Sequence, residues 1–189
     1  MKNKNFIIIA LMIICINSVT SCKKKESPTP APTYTIGQSY GGGIVFYIDG
    51  TGQHGLIAAP NDQSTASQWT SDSTLISGCS STSLGSGQAN TNAIIAACTT
   101  AGIAAQLCND LVIGNYSDWF LPSKDELNLL QQQKYKVSGF DNTNFNLSFW
   151  SSSEINKGNA WAQYFYDGIQ SAKGKITTNY VHVRAIRAF

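Results

Sequence analysis

Hydrophobic positions along this chain recur with two periods, and the changes of period mark out its elements. Ile44-Val45-Phe46-Tyr47-Ile48 is a β-rich run entered through Gly41-Gly42-Gly43. Turn residues Asp49-Gly50-Thr51-Gly52 follow, and His54 to Ala59 runs back to Pro60. This reads as a hairpin with a loop of several residues. The glycine run lacks both phosphate-loop spacings and precedes a strand, so it is not read as a nucleotide site. From Asn61 to Asn90 the chain is polar and irregular, with Trp69 as the expected anchor. A loop of that length inside a compact domain is often functional.

Helical spacing then takes over. Asn90 or Thr91 is expected to cap a helix through Ile94, Ile95 and Ala97. Gly102 breaks it, and Ile103 to Leu111 forms a second piece. Ser123-Lys124-Asp125-Glu126 predicts a capping box, in which serine and glutamate each satisfy a backbone N–H at the helix start. Asp125 and Glu126 also suit the positive end of the helix dipole. Leu127 and Leu130 give this helix its apolar edge, and it should end near Gln133. The last third reads as antiparallel sheet: Phe149–Ser153, Trp161–Tyr166, Ile169–Ile176 and a final strand Tyr180–Phe189 with Val181, Val183 and Ala185 on one face. Helices in the middle and strands at both ends predict an α+β domain whose first and last strands pair.

The N-terminal 33 residues follow neither period. Met1 to Asn5 is basic, and Phe6 to Ile16 is apolar but too short to span a bilayer, which takes about 20 residues. Val19-Thr20-Ser21-Cys22 matches a lipobox, so residues 1–21 read as a lipoprotein signal peptide and Cys22 as the lipidated residue. Residues 22–33, with three lysines and three prolines, read as the lipidated cysteine and an extended tether. Residues 34–189 form the folded domain. The expected partner of the N-terminus is a membrane. Lys23 is not an inner-membrane retention signal, so the expected location is the outer membrane, facing the periplasm or the surface.

Composition narrows the function. From Thr33 onward eight Lys/Arg face ten Asp/Glu, a net of −2, so the formal +2 of the whole chain comes from the signal and tether. A near-neutral domain argues against nucleic-acid binding, which needs a basic footprint. Cys79, Cys98 and Cys108 remain in the mature domain, in an oxidising compartment. One internal disulfide is expected, Cys79 with Cys98, with Cys98–Cys108 as the rival pairing. The scattered cysteines and two histidines make no metal site. No cofactor is expected, although Asp141-Asn142-Thr143-Asn144 offers oxygen ligands for calcium or, equally, a turn.

Several blocks occur together in order: Gly42–Tyr47, Asn90-Thr91, Asp118-Trp119-Phe120-Leu121-Pro122-Ser123-Lys124-Asp125-Glu126-Leu127, Trp150–Glu154 and Val183-Arg184-Ala185-Ile186-Arg187. In these the chain resembles the Lcl C-terminal domain family, over about Tyr40 to Phe189. The resemblance implies a C-type-lectin-like fold, with antiparallel sheets and two or three central helices. It also implies adhesion or glycan binding, sulfated glycosaminoglycans being the ligand of the family's namesake, a collagen-like adhesin. This chain has no collagen-like stalk, so the multivalency of a trimeric adhesin does not carry over.

The candidate ligand residues are Tyr164, Tyr166, Lys173, Lys175, Arg184 and Arg187. Tyr164 and Tyr166, with Trp150 and Trp161, offer faces for the apolar side of a pyranose, and equally for a core. Lys157, Lys173, Lys175, Arg184 and Arg187 concentrate positive charge that suits sulfated or uronic sugars, and equally a solvated face. Asp118, Glu126, Glu154, Arg184 and Arg187 read as a polar site or as internal braces, since a buried charge needs a partner. No catalytic constellation emerges, because neither histidine sits near a cysteine nucleophile in sequence. The expectation is a non-enzymatic envelope lipoprotein that recognises glycan. The alternatives are an interaction or structural subunit of an envelope complex and, behind it, a polysaccharide hydrolase.

Overall fold

The computed structural model describes residues 33–141, 143–179 and 181–189. The signal peptide, Cys22 and nearly all of the tether lie outside the described residues, as does Asn142 of the calcium candidate. Among the described residues no helix is long and apolar enough to cross a membrane.

Among the described residues, eight strands and four helices make an α+β domain. The first sheet has the order β1-β2-β3-β8 and the second β6-β5-β4-β7. Strands β1 (Ser39–Tyr40) and β2 (Gly43–Ile48) form a hairpin. Its two turn residues, Gly41 and Gly42, sit at φ 56° and 87°, which a tight hairpin requires and side-chain-bearing residues resist. Gly43 has a different reason: a Cβ there would stand 2.1 Å from the Ala58 carbonyl oxygen on the neighbouring strand. Strand β3 (Gly55–Ala58) runs antiparallel to β2 and to β8 (Ile186–Ala188). The expected pairing of first and last strands is corrected here: β8 joins the N-terminal sheet, but its partner is β3, with β1 and β2 lying beyond it.

Helix α1 covers Gly87–Ala97, starting three residues before the expected cap. Asn90 and Thr91 are spent on tertiary bonds instead: Asn90 Nδ2 donates to the Ser81 carbonyl at 2.7 Å, and Thr91 Oγ1 accepts from the Leu121 N–H at 3.0 Å. Helix α2 is Ala104–Asn109 and α3 is Lys124–Gln132. The Ser123–Glu126 capping box of α3 forms as predicted. A further turn, α4 (Lys134–Val137), stands where only polar chain was expected; Lys134 Nζ is buried and donates to the Phe165 and Tyr166 carbonyls.

The second sheet holds β4 (Ser148–Asn156), β5 (Asn159–Tyr164) and β6 (Gln170–Gly174) as an antiparallel meander. The expected final strand is corrected here. It is two strands in two sheets: β7 (Val181–His182) pairs parallel with β4, and β8 joins the first sheet. The residues between them cross from one sheet to the other, with Val183 bridging to Ser64.

Two cores explain why so many of these runs are apolar on both sides. Val45, Ile57, Leu121, Trp150 and Ala185 pack in one cluster with Trp69, Ile94 and Trp119. Their chain neighbours Phe46, Leu56, Phe120, Phe149 and Ile186 pack in the other, against Leu127 and Leu130 of α3. Successive side chains on extended backbone point to opposite faces, so each pair feeds both cores. The long polar loop is laid over β4. Trp69 is fully buried and its Nε1 donates to the Ser151 carbonyl at 2.7 Å. Two buried carboxylates finish the job: Glu154 accepts from the Ile76 N–H at 2.9 Å and Glu126 from the Gly85 N–H at 2.8 Å.

The expected Cys79–Cys98 disulfide is also corrected. All three cysteines are free thiols. Cys79 Sγ turns to the Ile76 carbonyl at 3.4 Å, whereas Cys98 Sγ pairs with Ser71 Oγ at 3.4 Å. Burial, the largest influence, pushes the Cys79 thiol up to about 12. It raises Cys108 as well. Neither is a ready thiolate for exchange.

Candidate functional site

The six candidate ligand residues divide into two groups. Tyr164, Tyr166 and Lys173 stay at the surface. Lys173 Nζ lies 4.7 Å from the Tyr164 ring centroid, a pair that joins β5 to the edge strand β6. Tyr166 lies beyond the end of β5 and does not extend that face. Lys124 Nζ covers the Trp161 ring at 4.5 Å.

Lys175, Arg184 and Arg187 are corrected from surface ligands to internal braces. Lys175 is fully buried and ion-paired to Glu154, with Trp69 beside its ammonium. Strand β6 ends at Gly174, so Lys175 leaves the edge and turns inward. Arg187 binds Asp118 with two bonds, Nε at 2.7 Å and Nη2 at 2.8 Å, and lies 4.1 Å from the Tyr116 ring centroid. Arg187's hydrogen bonds hold the Asp118 carboxyl below the ordinary aspartate range. This pair therefore stabilises above the unfolded aspartate value of about 3.9, and its contribution fades as pH falls through the depressed folded value. Urea midpoints of wild type and Asp118→Asn should differ at pH 6 and converge in strong acid. A constant difference across that range would show that the ion pair is not the source.

Arg184 leads to a site that the sequence does not announce. Its Nε donates to Asp62 Oδ1 at 2.6 Å, Nη1 to the Ala59 carbonyl at 3.0 Å and Nη2 to the Gly139 carbonyl at 2.7 Å. Its guanidinium stacks 4.1 Å from the Phe140 ring centroid. The second oxygen of Asp62 bonds His182 Nδ1 at 2.7 Å. Arg184, Asp62 and His182 thus form a relay from the buried interior to the surface. A carboxylate only accepts, so Nδ1 carries the proton, and in the neutral ring Nε2 is a fixed acceptor.

His182 lines a groove of about 680 Å³ with Thr65, Asp141, Asn144, Thr178 and Asn179. Leu147 and Ala66 give it an apolar portion. The relay residues come from the long loop (Asp62), the end of β7 (His182) and the crossing segment after it (Arg184), while Asp141 and Asn144 come from the loop after α4. Asp141 Oδ1 accepts from the Thr143 N–H at 2.9 Å and the Thr143 hydroxyl at 2.7 Å. That hydroxyl bond is the main reason its carboxyl sits below the usual range. Asn144 Oδ1 likewise caps the Asn146 N–H at 3.0 Å. The side chains of Asp141 and Asn144 considered for calcium thus make local bonds, and among the described residues no group of three His, Cys, Asp or Glu could hold a metal ion.

The sequence model of a family described as the Lcl C-terminal domain matches residues 59–187. Among solved structures, one similar to this chain is a fimbrial protein from Bacteroides ovatus, at 15% identity and a TM-score of 0.42. The match covers 72% of this chain and 35% of that one, so the chain spans about a third of that protein's length. No curated protein sequence matches the chain.

Proposed function

This chain belongs to the Lcl C-terminal domain family, and from that premise we propose a lipid-anchored envelope protein whose domain binds glycan in the groove beside His182. The observation that carries the reading is the pre-set polar wall of that groove. Hydroxyls, amides and an oriented imidazole stand around a small apolar portion. Saccharides need such a mixture, because each ring presents hydroxyls at its rim and an apolar C–H face. In this reading the domain is C-type-lectin-like, supported by the pairing of the N-terminal strand β3 with the last strand β8. Its role is binding rather than catalysis. Cys22 carries the lipid, and the address is the outer membrane.

Displaying the full-length chain in detergent on a glycan array tests this. Binding is expected, weakened roughly tenfold by Asn179→Ala, the loss of about 1.4 kcal/mol that one good polar contact supplies. Asn179 is exposed, so the variant leaves the fold intact. A blank array together with capture of an envelope protein would instead establish the interaction-subunit reading. Mass spectrometry of the same preparation should find acyl chains on Cys22.

A further inference from the structure

The charge of the groove says more about its ligand than its shape does. Among the described residues, the lining includes one carboxylate, Asp141, and no lysine or arginine. Of the cations that the sequence offers to sulfate, Lys157 sits in the turn between β4 and β5, outside the groove lining, and the others are engaged elsewhere. Lys175 is consumed by Glu154, Arg187 by Asp118, and Arg184 by Asp62 and two carbonyls. Lys173 and Lys124 lie over aromatic rings on the β5–β6 side of the second sheet. A sulfated or uronic ring entering the groove would meet Asp141 at like charge, with no lining cation to offset its desolvation.

Resting on the reading of this groove as a glycan site, we propose that it selects an uncharged saccharide, one hydroxyl of which donates to Nε2 of His182. Asp62 occupies Nδ1, so the neutral ring presents an acceptor at a fixed angle. Arg184 holds Asp62 in place from behind, and makes it the positioning residue for that acceptor. Asn144 and Asn179 supply the amide groups, and Thr65 and Thr178 the hydroxyls, that bond the remaining sugar oxygens. The ligand class is thus opposite in charge character to the sulfated polymers that the family resemblance implies.

The full-length chain in detergent, titrated calorimetrically, separates the possibilities. One set of probes is neutral hexose and N-acetylhexosamine oligosaccharides; the other is a heparin hexasaccharide. Neutral probes should bind and heparin should not. His182→Asn keeps a donor for Asp62 but removes the Nε2 acceptor, and should weaken neutral binding roughly fivefold to tenfold. His182→Gln, whose amide oxygen reaches further, should lose less. Asn179→Lys, an exposed change that leaves the fold alone, should admit heparin at least tenfold better than wild type. Heparin binding by wild type, tighter than any neutral probe and unaffected by these variants, would overturn the charge selection while leaving a glycan-binding protein. Absence of binding to every saccharide would overturn both.

Discussion

Lys175→Ala is expected to lose about 3–5 kcal/mol of stability, the cost of leaving a buried carboxylate without its partner. Whole domains hold only about 5–15 kcal/mol, so this single change brings the protein near its limit. The reason lies in what surrounds Glu154. Its side chain is 2% exposed, the Lys175 side chain is fully buried, and the Trp69 ring centroid is 4.9 Å from the ammonium. Lys175 Nζ also donates to the Thr74 carbonyl at 2.6 Å, and Glu154 also accepts from the Ile76 N–H. Removing the lysine therefore strands a charge and frees one end of the long loop. Urea unfolding measures the loss. Combining Lys175→Met with Glu154→Gln should recover half of it or more, because the amide oxygen still accepts from Ile76 and no charge remains buried. A deficit below about 1 kcal/mol for Lys175→Ala, the range of exposed ion pairs, would show that the pair is solvated after all.

The contrast between Lys173 and Lys175 shows where sequence reading stops. Both lysines sit two apart on an apparent strand, which places them on one face. What separates them is the end of β6 at Gly174, where the glycine marks a bulge or turn but not the inward direction that Lys175 then takes. The same holds for the last ten residues. Alternation of Val181, Val183 and Ala185 reads as one strand, yet the partner changes from β4 to β3 within the segment. By contrast, the hairpin and the capping box were legible because their causes are local: turn residues between two β-rich runs, and a serine three residues before a glutamate. The α+β class followed from those local features. Helix α1 starts before the residues that look like its caps. Asn90 and Thr91 are good caps by residue type, but here they serve Ser81 and Leu121 across the fold.

The groove was less legible still. Asp62 and His182 are 120 residues apart in sequence, and neither lies within a block that carries the family resemblance. Asp141 and Asn144 drew notice only as oxygen donors for a cation. The signal that pointed towards the site was indirect. Arginine amid alternating apolar residues needs a carboxylate, and following Arg184 to its carboxylate leads to His182. The expectation that Arg184 is a brace and the expectation that it belongs to a ligand site therefore meet in one residue, which acts through Asp62 rather than by touching the ligand.

Arg184→Ala should accordingly damage the fold and the groove together. It removes donors from the carbonyls of Ala59 and Gly139 and the stacking partner of Phe140, and it leaves Asp62 without its buried cation. The expected destabilisation is about 3–5 kcal/mol, read as a fall in melting temperature of roughly 10 °C for a domain of this size. Arg184→Lys should restore the charge but not the fork, since one ammonium cannot serve a carboxylate and two divergent carbonyls in plane. It should recover part of the stability while His182 remains poorly oriented. A neutral-saccharide titration on Arg184→Lys, at a temperature where that variant is fully folded, then isolates positioning from folding. Weakened binding in a folded protein is the expected result. Affinity equal to wild type in folded Arg184→Lys would mean that Asp62 orients His182 without help, and that Arg184 serves the fold alone.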